Sequence, residues 1–262
     1  MKKTVGLISV IVMLGLTGYS LFHGSESKSN VKKTTATTYS FEKKTAASTS
    51  KKTAAQKALP DAKTTDWNLV LVGPKNKIEN EVAESQLATL SDNSHQVDSR
   101  IVTDYEALSA AATKAGYPLV IISAFRSVEA QKQVFDNNVN SLVSGSGMTE
   151  ADATTKTKET MTEPGYSEHH TGLAIDIVDQ DWYKSYTTQV LDASYGDQPG
   201  AKWIAENAPK YGFIIRYPKD RQDITGITYE PWHIRYVGKE NAEYITKNNL
   251  TLEEFLQQLS DK

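Results

Sequence analysis

The ten residues at 167–176, SEHHTGLAID, constrain the fold most, because they combine two metal-ligand residue types with a strand pattern. His169 and Asp176 lie seven positions apart. If 172–178 is a strand, its successive side chains alternate between two faces. The apolar positions then share one face, suited to the core: Leu173, Ile175 and Ile177. Asp176 lies on the other face beside small residues, which leaves room for a metal and a substrate.

A second fragment at 230–233, EPWH, supplies the rest of a zinc site. Two histidines and one aspartate are typical of a catalytic zinc, whose fourth position holds water. Glu230 is predicted to be the general base that takes a proton from that water. Strict alternation would place Glu230 and His233 on opposite faces. Pro231 cannot join a strand ladder, so we expect a bend there that turns both side chains inward.

His170 competes with His169 for the role of first ligand. A lone histidine is usually structural, but the pairing of the two fragments favours a metal site. The spacing to Asp176 favours His169 as the ligand. His170 is then left for a supporting contact or a contact with substrate, and the sequence does not decide between these.

The remaining segments predict one α+β domain over 66–262, with helices flanking a central antiparallel sheet. Predicted strands are 68–72, 119–123, 172–178, 213–217 and 232–237. Predicted helices are 103–115, a segment capped by Ser127, 202–211 and most of 241–259.

The N-terminal part has a different composition. Residues 5–22 are apolar and uncharged and follow a lysine pair, which predicts a signal peptide or membrane anchor over 1–23. Residues 24–65 are rich in Ser, Thr, Lys and Ala, and predict a disordered linker. We therefore expect an extracytoplasmic protein, either tethered to the membrane through 5–22 or secreted.

Composition excludes several function classes. The chain has no cysteine, so disulfides, thiolate ligands and a cysteine nucleophile are excluded. Residues 1–65 hold eleven lysines and three acidic residues, net +8, in a chain of net charge -3, so the rest carries -11. An acidic body argues against a nucleic-acid partner, because phosphate binding needs a basic face.

The pattern Ser-x-His-x-x-Gly-x-Ala-x-Asp followed by Glu-Pro-Trp-His resembles the zinc D-alanyl-D-alanine carboxypeptidases of the VanY and LdcB type. These are LAS metallopeptidases, and the resemblance covers roughly 67–262. It implies that one zinc ion is bound by His169, Asp176 and His233, with Glu230 as catalytic base. It also implies a monomer that removes the C-terminal D-alanine from peptidoglycan stem peptides, with D,D or L,D specificity, at the cell wall.

The resemblance extends to four further residues. The segment 123–127, SAFRS, matches the family's Ser-x-Phe/Tyr-Arg-Ser pattern. Arg126 is therefore expected to bind substrate and to stabilise charge at the scissile bond, for which a guanidinium is well suited. Three more residues are expected to bind substrate: Gln131, Ser167 and Tyr217.

Two alternatives remain open. An enzyme of the same family that cuts inside a peptide would be a peptidoglycan endopeptidase or lysin. A zinc-containing module that binds the wall without catalysis would share the metal ligands. The presence of both Glu230 and Arg126 argues against the second alternative.

Overall fold

A four-stranded antiparallel sheet carries the site in the computed structural model, which describes residues 58–158 and 161–262. Two short strands, β1 (Leu87–Thr89) and β2 (Gln96–Asp98), first pair with each other. The four-stranded sheet consists of β3 (Leu119–Ser123), β4 (Ala174–Asp179), β5 (Phe213–Tyr217) and β6 (Glu230–Tyr236). Its spatial order is β3-β4-β6-β5, with every pair antiparallel. The predicted α+β class is confirmed.

Helices surround this sheet. They are α1 (Val102–Lys114), α2 (Val128–Ser146), α3 (Glu150–Lys158), α4 (Gln180–Ser185), α5 (Pro199–Asn207), α6 (Gln222–Thr225), α7 (Lys239–Lys247) and α8 (Leu252–Ser260). Ser127 caps α2 as predicted, because its Oγ accepts a bond from the Ala130 amide at 3.1 Å. Thr251 and Glu254 form a capping box at α8, which fixes the start of the last helix.

The core covers the apolar face of β4. Leu173, Ile175 and Ile177 are all buried in the main cluster, as the alternation predicted. Burying such a side chain stabilises a fold by about 1.5–3 kcal/mol relative to leaving it exposed. The opposite face of β4 is therefore turned toward the site.

The predicted strand at 68–72 is wrong. A 3₁₀ helix spans Trp67–Leu69, and the residues after it are irregular. The reason is a buried side chain: Arg235 Nη2 donates to the carbonyl oxygens of Asn68 and Val70 at 3.1 and 2.7 Å. Backbone acceptors that would pair with a neighbouring strand are satisfied by a guanidinium instead.

Residues 58–65, which the sequence assigned to the linker, pack on the rest of the described domain. One compact unit covers 58–262, and Leu59 and Ala62 pack on the cluster beneath α7 and α8. Lys262 Nζ also donates to the Pro60 carbonyl at 2.6 Å. The predicted segment 1–23, and the linker up to residue 57, lie outside the described residues. Among the helices of 58–158 and 161–262, none is long and apolar enough to cross a membrane.

Candidate metal centre

The register between β4 and β6 brings two predicted ligands together. Asp176 pairs directly with His233, so both side chains leave the sheet on the same side. His233 Nδ1 lies 2.9 Å from Asp176 Oδ1. Residues far apart in the chain are thus neighbours because of strand pairing alone.

His169 reaches the same point from a tight turn. The 3₁₀ helix Glu168–Thr171 begins after Ser167, whose Oγ accepts a bond from the His169 amide at 3.4 Å. The turn ends at Gly172 with φ 67°, a left-handed conformation that glycine adopts without cost. The turn places His169 Nε2 3.1 Å from Asp176 Oδ2.

The three side chains fit a metal ion. His169, Asp176 and His233 each offer one ligand atom, these atoms lie within 4.8 Å of one another, and all three residues are buried. A tetrahedral zinc with bonds of about 2.0 Å separates its ligand atoms by about 3.3 Å. Two imidazoles and a carboxylate are a donor set that zinc accepts in catalytic sites. The three residues predicted as ligands therefore form one cluster, and their role as zinc ligands stays a prediction.

Charge in the cluster depends on its hydrogen bonds. Despite burial, the neighbouring His169 and His233 hold the pKa of Asp176 well below its usual range. Burial opposes a charge on His233, but bonds to Asp176 and Glu168 raise the pKa of His233 to about 10. A zinc ion would need a ring-nitrogen lone pair of His233, so zinc and a proton compete for this histidine.

Glu230 lies beside the cluster without belonging to it. Its Oε2 is 3.8 Å from His233 Nδ1. Ile215 pairs with Ile234 while Tyr217 pairs with Glu230, so the β5–β6 register shifts around Pro231. This is the expected bend, and it turns Glu230 and His233 toward the same space. Burial, with the charges on Asp176 and Glu168, raises the pKa of Glu230 to about 7, although His233 acts in the opposite direction.

Arg126 is held by two neighbours. Its Nη1 donates to Gln131 Oε1, and its Nη2 donates to Ser123 Oγ, both at 2.8 Å. A guanidinium has five N–H donors, so three remain for other partners. Burial lowers the pKa of Arg126, and the negative charge of Asp176 opposes that shift. The guanidinium therefore interacts electrostatically with the cluster of His169, Asp176 and His233.

Three other predicted residues surround these groups. Gln131 is fully buried, and its Nε2 donates to the Thr162 carbonyl at 2.7 Å. Its amide therefore connects Arg126 to the backbone at Thr162. Ser167 is buried at the start of the His169 turn. The Tyr217 ring lies 4.9 Å from the His233 ring. Burial and the charge on Glu168 raise the pKa of Tyr217, which keeps its phenol protonated.

His170 has a structural position that the sequence left open. Its side chain is fully buried. Nδ1 lies 2.7 Å from the Arg126 carbonyl oxygen, and Nε2 accepts a bond from the Gly165 amide at 3.1 Å. These bonds assign the neutral form with hydrogen on Nδ1. His170 thus braces the backbone that carries Arg126, while His169 faces the metal cluster.

Sequence reasoning missed a buried ionic network beneath the site. Glu168 accepts bonds from Arg216 Nε and Arg235 Nη1, each at 2.6 Å, and all three residues are fully buried or nearly so. Its other oxygen lies 3.3 Å from His233 Nε2. One signal could have found it, since Arg216 and Arg235 interrupt strands that are otherwise largely apolar. A buried charge needs a partner of opposite sign.

The arrangement is that of a metal-dependent hydrolase site. Three residues that could hold a metal ion form a buried cluster, a carboxylate lies beside it, and a guanidinium interacts electrostatically with its aspartate.

Comparisons with known proteins identify the family. Residues 94–239 match VanY, described as D-alanyl-D-alanine carboxypeptidase. This match covers more than half of the chain, so the protein belongs to the VanY family.

Two relatives support this assignment. YodJ of Bacillus subtilis (strain 168) is 44% identical over 149 residues, 57% of this chain and 49% of that protein. A D-alanyl-D-alanine carboxypeptidase of Enterococcus faecalis (strain ATCC 700802 / V583) is 36% identical over 191 residues, 73% of this chain and 66% of that protein. The chain thus spans about half to two thirds of the length of these relatives.

Two solved structures share the fold. The vancomycin resistance D,D-pentapeptidase VanY, in complex with Zn(II), has a TM-score of 0.59 and 35% identity, covering 73% of this chain and 99% of that one. The L,D-carboxypeptidase LdcB has a TM-score of 0.61 and 36% identity, covering 73% of this chain and 86% of that one.

Proposed function

We propose that this protein is a zinc-dependent carboxypeptidase that removes the C-terminal D-alanine from peptidoglycan stem peptides. The observation that carries the proposal is the buried cluster of His169, Asp176 and His233 with Glu230 beside it. The VanY family assignment and the names of its relatives support this substrate class. A solved relative in complex with Zn(II) supports zinc as the metal.

Glu230 carries the proton in this mechanism. A zinc ion held by the three ligands would supply the Lewis acidity that makes water a nucleophile near neutral pH. Glu230 accepts a proton from the water while the water oxygen bonds to the peptide carbonyl carbon. When the C–N bond breaks, Glu230 returns that proton to the leaving amine of D-alanine. A pKa raised toward neutrality suits a group that both accepts and donates a proton.

Arg126 binds substrate oxygens in this proposal. Its three remaining N–H groups can bond to the terminal carboxylate or to the oxyanion that forms at the carbonyl. Either partner requires a fixed guanidinium, and the bonds to Gln131 and Ser123 fix it. Gln131 therefore acts on the substrate through Arg126.

Ser167 and Tyr217 complete the substrate site. The Ser167 oxygen is used in the turn, but its hydroxyl proton is left for a substrate acceptor. Tyr217 keeps its proton and lies against His233, so its phenol can donate to substrate at the metal.

The domain organisation belongs to the same proposal. Residues 1–23 act as a signal peptide or membrane anchor, a linker follows, and the C-terminal domain works at the cell wall as a monomer. The composition of residues 1–65 supports export and a spacer.

Mass spectrometry of product peptides tests the activity. Purified protein is incubated with a stem pentapeptide ending in D-Ala-D-Ala and with the tetrapeptide ending in one D-alanine. Loss of one alanine from the pentapeptide indicates D,D activity, and loss from the tetrapeptide indicates L,D activity. Cross-linked muropeptides split without loss of a terminal alanine would instead indicate an endopeptidase. Wall binding without any cleavage would indicate a non-catalytic module and overturn the proposal.

A further inference from the structure

The buried carboxylate of Glu168 lies directly behind a metal ligand. Its Oε2 is 3.3 Å from His233 Nε2, the ring nitrogen that does not face Asp176. This side chain has no exposure to solvent. His233 therefore has one nitrogen toward the metal cluster and the other toward a fixed anion.

Two arginines hold that anion. Arg216 Nε and Arg235 Nη1 both donate to Glu168 Oε1, which leaves Oε2 for the histidine. Both contacts are 2.6 Å long and lie between fully buried side chains, so they are charge-assisted hydrogen bonds to a carboxylate. The group is thus an ionised acceptor with a defined orientation.

The network continues to the last helix. Arg216 donates from Nη1 and Nη2 to the two carboxylate oxygens of Glu253, at 2.9 and 2.7 Å. Glu253 lies in the first turn of α8. The order Glu253, Arg216, Glu168, His233 therefore connects the C-terminal helix to the metal cluster.

We propose that Glu168 is a positioning residue for the zinc ligand His233. An acceptor at Nε2 keeps hydrogen on that nitrogen, so the Nδ1 lone pair points to the metal and the ring cannot rotate. The two arginines keep the acceptor ionised and in place. This inference rests on the proposed zinc site, but it concerns metal affinity and not the substrate.

The substitution Glu168→Gln tests the tautomer argument. An amide oxygen can satisfy the arginines only if the amide nitrogen turns toward His233, where it donates and favours hydrogen on Nδ1. We expect zinc affinity, measured by competition with a chelator, to fall about 10–100-fold, as for other supporting residues of metal ligands. The visible spectrum of the cobalt-substituted protein should also change, because one ligand is altered.

A second variant keeps the test valid if Glu168→Gln does not fold. Glu168→Asp retains the negative charge between the arginines but is one methylene too short to reach His233 as well. It should remain folded by circular dichroism and still lose at least tenfold in zinc affinity.

Asp98→Asn is the matched control. Asp98 is also a buried carboxylate, and its side chain bonds to Arg100 instead of a metal ligand. The zinc affinity of the Asp98→Asn variant should equal that of the wild type. Wild-type affinity and cobalt spectrum in either Glu168 variant would overturn the inference. If wild-type protein cleaves D-alanine with zinc while the Glu168 variants bind zinc equally well, only this inference fails. If wild-type protein binds no zinc, the proposed function fails first.

Discussion

Replacement of Arg126 by lysine separates a positioned guanidinium from a simple positive charge. The guanidinium donates to Gln131 Oε1 and Ser123 Oγ at 2.8 Å and keeps three N–H groups for substrate. A lysine has its three donors on one nitrogen, so it cannot span both neighbours and also face substrate. Arg126→Lys should therefore keep the charge and lose the geometry.

The expected cost is that of one lost transition-state contact. Removal of one oxyanion donor typically lowers kcat by about 10²–10³, or about 2.7–4 kcal/mol. If the guanidinium also binds the terminal carboxylate, KM should rise as well. We expect kcat/KM for D-alanine release to fall by at least about 10²-fold, with zinc content unchanged.

The control is the same substitution at another site. Arg100→Lys affects a partly exposed arginine that is paired with Asp98 and lies over the Trp67 ring. Its kcat/KM should stay within about twofold of the wild type, because surface changes away from such features cost little. If Arg126→Lys also retained kcat/KM within about threefold, a positioned guanidinium would not be required. The proposed contact of Arg126 with substrate oxygens would then be wrong.

Three further predictions concern neighbouring residues. Glu230→Gln should keep its zinc, since Glu230 is not a ligand, but lower D-alanine release by at least about 10²–10⁴-fold, and retained turnover would remove Glu230 as the base. His170→Gln, which retains a donor and an acceptor, should keep a higher kcat/KM than His170→Phe. The phenylalanine leaves two buried backbone groups unpaired, each of which should lower the free energy of unfolding by about 1–3 kcal/mol. Equal kcat/KM in the two variants would contradict the bracing role. Gly172→Ala should lower the urea unfolding free energy by about 1–3 kcal/mol, because φ is +67° and the new Cβ would lie 2.8 Å from the Asp98 amide nitrogen; unchanged stability would contradict this.

Local patterns predicted much of the fold. The strands at 119–123 and 213–217 have the predicted bounds, because each is an apolar run with a glycine or proline close to its ends. The α2 start followed from a capping serine. Residue type and spacing in the two fragments also predicted the three residues that lie together in the cluster: His169, Asp176 and His233.

Features that depend on distant contacts could not be predicted in this way. Residues 68–72 have the composition of a strand, but a buried guanidinium from β6 bonds their carbonyls. Glu168, between a capping serine and a ligand, has the sequence position of a solvated turn residue. Its burial follows from arginines about fifty and seventy positions away in the chain.

The zinc dependence of D-alanine release shows whether the cluster of His169, Asp176 and His233 is a catalytic zinc site. Metal is removed from the purified protein with EDTA, zinc is added back in known amounts, and bound metal and released D-alanine are measured on the same samples. We predict no release without metal, one zinc per chain at saturation, and release in proportion to bound zinc, with His233→Ala inactive throughout. Full release by metal-free protein, or by His233→Ala, would contradict the account.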